Sequence, residues 1–341
     1  MKSAAVGIPW HRHRHVAPGW ICRLAGGAAI LACVACASTQ PSPYPAPEAV
    51  LALPSGVEDQ RGRFREIFCA ILSERGGEMP DARPCDEALT RAGVEPPGTG
   101  AAVDVGQSSR PLVAVVVPGV GWDCISNWLD SQDTSVTHIR RFGYDAVSIH
   151  VESLSSSTTN ARLIRDAIME MEHDQPEPSL VLIGYSKGAP DILEAVVAYP
   201  EIRRHIAAVV GVAGAIGGSP AADEVTQSKL DLLEKWPGAE CTPGDGGAME
   251  SLRPIVREAW LEANPLPLEI PYYSVMTCPE PDRISSVLKP FYRKLAKIDP
   301  RNDGMVLFPD QFIPQSTFVA CLNADHWAVS YTHLTLPTTI P

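Results

Sequence analysis

Leu180-Val181-Leu182-Ile183-Gly184-Tyr185-Ser186-Lys187-Gly188 is the stretch on which the reading of this chain turns. Its first four residues are apolar without alternation, the pattern of a strand buried on both faces of a parallel sheet. Gly184 and Gly188 bracket a tight turn, and residues 191–198 then read as a helix that ends near Pro200. Strand, turn and helix in immediate succession lift the Ser186 hydroxyl above the sheet at a strained bend. A Cβ at either glycine would clash in so tight a turn. The helix N-terminus behind Ser186 favours negative charge.

The same alternation continues outward. Residues 112–117 are a β-branched run ended by Pro118-Gly119, and residues 146–151 form another strand after Gly143. Residues 160–171 are predicted helical, with Thr158 or Thr159 as the N-cap. Further strands are expected at 206–212, 272–276 and 318–322. Strands alternating with helices predict an α/β fold, a mostly parallel central sheet with helices on both faces. Residues 219–266 interrupt the rhythm with helical, partly polar sequence and read as an insertion. Leu232, Leu233, Trp236, Ile255 and Trp260 either line it or serve ordinary helix packing.

Before this domain, Phe64, Ile67, Phe68, Ile71 and Leu72 give one apolar helical face that stops at Gly76-Gly77, and a second helix is expected over residues 85–92. Residues 57–100 are therefore assigned to an N-terminal helical extension, and 101–328 to the α/β domain. Residues 1–36 read as an export signal: Arg12, Arg14 and Arg23 form a basic leader and residues 24–35 a short apolar stretch. The cluster His11-Arg12-His13-Arg14-His15 belongs to that leader rather than to a metal site. Leu31-Ala32-Cys33-Val34-Ala35-Cys36 resembles the lipobox of bacterial lipoproteins, with Cys36 as the residue to be lipidated. Cys33, with Ile30 three positions upstream, is the alternative, and Ala35-Cys36-Ala37 also suits ordinary signal cleavage. The Pro-rich segment 37–56 then forms a linker. Residues 329–339 resemble translated sequencing-adapter DNA, so 329–341 are expected to be a non-native tail.

The chain has 341 residues, 45% of them apolar, with a formal charge of −12. That charge argues against a nucleic-acid partner, which needs a basic face. No apolar run is long enough for a membrane-spanning helix. Nine cysteines fit an oxidising compartment. Cys69 and Cys85 are placed to staple the two N-terminal helices. Cys241 with Cys278, and Cys124 with Cys321, are further candidate pairs whose connectivity sequence leaves open.

A serine hydroxyl needs a base, and the base an orienting acid. His205, His326 and His333 follow Ser186. His205, beside Arg203 and Arg204, reads as a surface residue, and His333 lies in the suspect tail. His326, in Asn323-Ala324-Asp325-His326-Trp327, is the expected base. Asp303, Asp310 and Asp282 are candidate acids, whereas Asp325 adjoins His326 too closely to orient its ring. An oxyanion site needs two backbone N–H groups. One is expected from Lys187 and the other from Val120, with Gly121 next, in the turn after residues 112–117. The side chains of Lys187 and Trp122 are expected only to pack or face solvent.

Together these residues resemble the α/β-hydrolase superfamily, and within it the bacterial lipases and esterases, from about residue 112 to 327. Pro118-Gly119-Val120 stands at the oxyanion loop and Gly184 to Gly188 at the nucleophile. Gly218-Ser219-Pro220-Ala221-Ala222-Asp223 is similar to the segment that opens the lipase lid, and Asn302-Asp303-Gly304-Met305-Val306 to the acid motif. The resemblance implies a catalytic Ser186, Asp303 and His326, an oxyanion hole at Val120 and Lys187, a lid over 219–266, and an ester or lipid substrate. It departs at Pro118, where the family has His, and at Ala189, where many lipases have Gly. The Asp that binds calcium in some of these lipases is missing, so no metal or cofactor is implied. The expected protein is an exported serine hydrolase of the bacterial envelope, tethered through Cys36 or secreted. An acyltransferase with the same machinery, or a non-catalytic envelope binding protein on this scaffold, are the alternatives.

Overall fold

The structure is a computed structural model, which describes residues 51–78, 83–104, 111–122, 135–141, 143–171, 179–224 and 244–328. The signal and its Cys33 and Cys36, most of the linker, residues 225–243 of the insertion, Cys124, and the tail from 329 lie outside them.

Among the described residues seven parallel strands form one sheet in the order β1-β7-β6-β5-β4-β2-β3. They are β1 (Glu58–Asp59), β2 (Val113–Val117), β3 (Asp145–Ser148), β4 (Leu180–Tyr185), β5 (Ile206–Val212), β6 (Tyr272–Thr277) and β7 (Thr317–Leu322). Helices α4 (Ser157–Met171) and α5 (Gly188–Ala198) pack on each other. Ile164, Ile168, Ile192 and Val196 join Val115 and Leu182 in the main core, all wholly inaccessible to solvent. Their 3.6-residue spacing on the helices and two-residue spacing on the strands are the two periodicities that a two-layer core requires. The other helices are α1 (Arg61–Arg75), α2 (Cys85–Ala88), α3 (Ser135–Arg141), α6 (Ala248–Ser251), α7 (Pro254–Ala263) and α8 (Lys289–Leu295).

Helix α4 starts a turn earlier than its sequence suggested. Ser156 Oγ, rather than Thr158 or Thr159, accepts the Thr159 N–H at 3.2 Å. Helix α2 stops at Ala88 because Leu89 turns into a bridge with Leu322. The N-terminal segment is joined to the sheet. Strand β1 extends its edge beside β7, and α1 packs on β7. Buried Arg61 fixes this join: it pairs with Asp59 at 2.7 Å, donates to the carbonyls of Ala92 and Val94, and lies over the Phe318 ring.

Cys69 and Cys85 form a disulfide that ties α1 to α2. A second disulfide joins Cys278 to Cys321, with Cα atoms 5.4 Å apart. This overturns both proposed pairings, Cys241 with Cys278 and Cys124 with Cys321. The cause is topological: β6 and β7 are neighbours, so their ends present the two cysteines side by side.

Of the expected insertion lining, Leu232, Leu233 and Trp236 lie outside the described residues. Trp260 packs against the main core, while Ile255 is 63% exposed. Asp245, where the described chain resumes, accepts hydrogen bonds from Ser156, Thr159 and Gly247 and so anchors the insertion to the start of α4. Among the described residues no helix is long and apolar enough to cross a membrane.

Candidate active site

Ser186 follows β4 near the middle of the sheet and directly precedes α5. Its φ of 52° is the left-handed conformation that a side-chain-bearing residue adopts only under constraint. The constraint is visible: Ser186 N–H donates to Val212 O at 3.1 Å, and Ser186 O accepts from Ala215 N–H at 3.1 Å. A Cβ on Gly188 would fall 2.1 Å from Val117 O, and one on Gly184 would fall 2.5 Å from Ala189 Cα. Both glycines of the pentapeptide are therefore required by backbone packing.

His326 lies just past β7 and Asp303 in the turn after α8, so both reach the C-terminal edge of the sheet where Ser186 stands. His326 Nε2 is 2.8 Å from Ser186 Oγ, and His326 Nδ1 is 2.7 Å from Asp303 Oδ2. Asp303 is fully buried. Burial works to raise its pKa, but the neighbouring His326, the Thr277 hydroxyl and the Val306 N–H outweigh it and hold the carboxyl below its ordinary value. Met305 N–H and Val306 N–H both donate to Oδ1, at 2.9 and 2.7 Å. Gly304, at φ 93°, provides the bend that turns these amides inward.

The other candidates are placed elsewhere. Asp310 lies beside Gly217, and burial, followed by the charge of Asp299, pushes its carboxyl up to about 6. Asp282 is exposed in a short turn. Asp325 accepts the N–H groups of Ser285, Trp327 and Ala328, and so fixes the loop rather than the imidazole. His205 is buried, contrary to its surface reading, and accepts from Arg204 at 2.9 Å.

Sequence reasoning missed several supporting groups. Thr277 Oγ1 donates to Asp303 Oδ2 at 2.5 Å, and Gln311 Oε1 accepts the Thr277 N–H at 2.9 Å. Tyr185 Oη donates to His326 O at 2.6 Å. None carries a motif, although Tyr185 lies inside one.

The turn after β2, where the oxyanion donors are expected, lies against Ser186: a Cβ on Gly119 would be 2.8 Å from Ser186 Cβ. Val120 packs with Ala215, Ala222, Leu252 and Val306, flanked by Met249 and Met305, giving an apolar wall near the serine. Lys187 occupies the N-cap position of α5. Its side chain corrects the expectation of a packing or solvent-facing role. It is 1% exposed, and Nζ donates to both oxygens of Asp191 at 2.8 Å. Asn160 Nδ2 also donates to Asp191, at 2.7 Å. One turn on, Glu194 receives buried Arg257 of α7 at 3.0 Å, and burial raises the Glu194 pKa. Half-buried Trp122 stands at the end of the turn that follows β2. Among the described residues no cluster of His, Cys, Asp and Glu could hold a metal ion.

A hydroxyl, an imidazole and a buried carboxylate in this order can transfer a proton from the serine as it attacks an electrophilic carbon. No protein-family profile and no curated protein sequence matches the chain. Solved structures do. The metagenomic carboxyl esterase MGS0156 aligns with a TM-score of 0.75 and 36% identity, over 85% of this chain and 90% of that one. The mature form of Bacillus licheniformis lipase BlEst2 shares the fold, with a TM-score of 0.53 and 21% identity over 70% of this chain and 94% of that one. On the first of these likenesses, the chain belongs to the α/β-hydrolases of the carboxyl esterase and lipase type.

Proposed function

We propose that this protein hydrolyses carboxylic esters through an acyl-enzyme on Ser186. The observation that carries the reading is the unbroken hydrogen-bond chain from Ser186 Oγ through His326 to Asp303. Ser186 Oγ attacks the ester carbonyl carbon while His326 Nε2 takes the hydroxyl proton. Asp303 stays ionised, fixes the tautomer with Nδ1–H directed at itself, and stabilises the imidazolium. The N–H groups of Val120 and Lys187 receive the developing oxyanion. Collapse of the tetrahedral intermediate breaks the bond to the alkoxy oxygen, which leaves as the alcohol with the proton from His326. Water then attacks the acyl carbon, His326 takes its proton, and the acid is released with Ser186 restored.

The wall formed by Val120, Met249, Leu252 and Met305 supports an apolar acyl group. The sequence of residues 1–36 and the two disulfides support export to a bacterial envelope, with Cys36 as the lipid attachment point. The complete hydrogen-bond chain favours catalysis over a binding role for this scaffold.

The test is turnover of a p-nitrophenyl ester series by the protein and by Ser186→Ala. The reading expects an initial burst of p-nitrophenol, steady turnover to free acid, and loss of both in the variant. A folded protein that turns over no member of the series overturns it. Acyl transfer to an added alcohol in place of water would instead identify an acyltransferase.

A further inference from the structure

The segment 283–298 is a basic stretch of an acidic chain. The chain holds 40 acidic against 28 basic residues, yet this segment contains Arg283, Lys289, Arg293, Lys294 and Lys297 and no Asp or Glu. Helix α8 is its centre. The bonds Lys289 N–H to Ser285 O and Asp299 N–H to Leu295 O, both 3.0 Å, carry the helical winding a turn further at each end. Three faces result. Leu288, Tyr292 and Leu295 are buried. Val287, Phe291 and Ile298 share a second face with Lys294 and are 39%, 45% and 64% exposed. Lys289, Arg293 and Lys297 form a third, exposed face.

The charges are largely uncompensated. Arg283 lies 3.5 Å from Glu87, and Lys294 pairs with Glu224. Among the described residues Lys289, Arg293 and Lys297 have no ion-pair partner. An exposed apolar strip flanked by unpaired cations matches a partner that offers both negative charge and an apolar phase.

We propose that the outer face of residues 283–298 docks the protein on an anionic lipid surface. Phospholipid headgroups supply the charge that Lys289, Arg293 and Lys297 lack, and the boundary with the acyl chains receives Phe291, Val287 and Ile298. Nucleic acid offers negative charge but no apolar phase for Val287, Phe291 and Ile298. The inner side of the same segment supports the catalytic loops. Ile284, Leu288 and Tyr292 pack against Met305 and Trp327, and Ser285 N–H donates to Asp325 at 2.7 Å. Docking therefore holds the loops that carry Asp303 and His326 next to the lipid. Binding itself does not depend on the ester-hydrolase reading.

Vesicle flotation tests this on the full chain with Cys33→Ser and Cys36→Ser, so that no lipid can be attached. Phosphatidylcholine vesicles are compared with vesicles that also contain phosphatidylglycerol. Binding is expected to the mixed vesicles and to weaken with salt. The triple variant Lys289→Gln/Arg293→Gln/Lys297→Gln should lower it by about tenfold or more. Phe291→Ser should lower it too, and the control Arg162→Gln/Arg165→Gln on α4 should not. Lys289, Phe291, Arg293, Lys297 and Arg162 are exposed and Arg165 is partly so, and circular dichroism verifies folding. Flotation unaffected by the triple variant, equal binding to both vesicle types, or association with acidic proteins but not vesicles overturns the proposal. Persistent flotation of a protein that hydrolyses no ester would remove the catalytic reading and leave this one standing.

Discussion

Thr277 Oγ1 and His326 Nδ1 meet the same oxygen of Asp303, at 2.5 and 2.7 Å. Thr277 has one hydroxyl proton and two acceptors within reach, Asp303 Oδ2 at 2.5 Å and Gln311 Oε1 at 3.1 Å, and the shorter contact to the ionised carboxylate takes it. A hydrogen bond to a buried charge contributes about 1.5–3 kcal/mol. Thr277→Val, which keeps the shape, is expected to lower kcat roughly tenfold to a hundredfold with little change in KM. Thr277→Ser should restore most of the rate. Equal kcat in the valine and parent proteins would show that Thr277 does not position Asp303.

Gly119 gives a second prediction. An added Cβ would lie 2.8 Å from Ser186 Cβ, and that contact is too close to persist. Gly119→Ala is expected to displace the oxyanion loop and cut kcat by roughly a hundredfold, the scale of losing one oxyanion donor. Labelling of Ser186 should slow, while the urea midpoint moves little. Steady-state kinetics beside denaturation curves distinguish this from general unfolding.

Lys187 and Asp191 form a buried pair immediately after Ser186, each 1% exposed in its side chain. Removing one partner strands the other. Asp191→Ala is expected to destabilise the protein by about 3–5 kcal/mol, while Lys187→Met/Asp191→Leu should lie much closer to the parent. Chemical denaturation of both variants checks this. A larger loss in the double variant would mean that the pair itself stabilises the fold.

Much of this was legible in the sequence because buried parallel strands announce themselves as apolar runs without polar alternation. The runs at 113–117, 180–185 and 206–212 are of this kind. Ser186 and His326 stood out as candidates because chain order and turn chemistry restrict the choices, whereas Asp303 was set apart from Asp310 and Asp282 only by the resemblance to lipases. Strand β1 was not, since Glu58 and Asp59 are polar and too few to show a period. The Cys278–Cys321 bond needed the β6–β7 adjacency, which composition does not contain. Lys187 defied the rule that lysines stay in water; the available signal was Asp191 four residues on, in a helix whose only other charged residue is Glu194.

Asp310 allows a test by pH. Its carboxyl is pushed up to about 6 by burial and then by Asp299, from an ordinary value of 3.8. A raised carboxyl favours the folded state when protonated. Its contribution is thus full below the unfolded value and lost as pH rises through about 6. Asp310→Asn should therefore be more stable than the parent at pH 7, by about 1–3 kcal/mol, with the difference shrinking towards pH 4. Its kcat/KM should be close to the parent's. Asp303→Asn, by contrast, should lose roughly a thousandfold or more. Urea unfolding at two pH values and one kinetic assay separate the two aspartates.

The most direct measurement is reaction with a fluorophosphonate, followed by mass spectrometry of the digested protein. An activated serine attacks phosphorus and expels fluoride, leaving a covalent phosphonyl adduct. The account predicts one adduct, on the peptide containing Ser186, that is absent in Ser186→Ala and strongly slowed in His326→Ala. An unlabelled Ser186 in a folded protein, or an equal rate of labelling without His326, would contradict it.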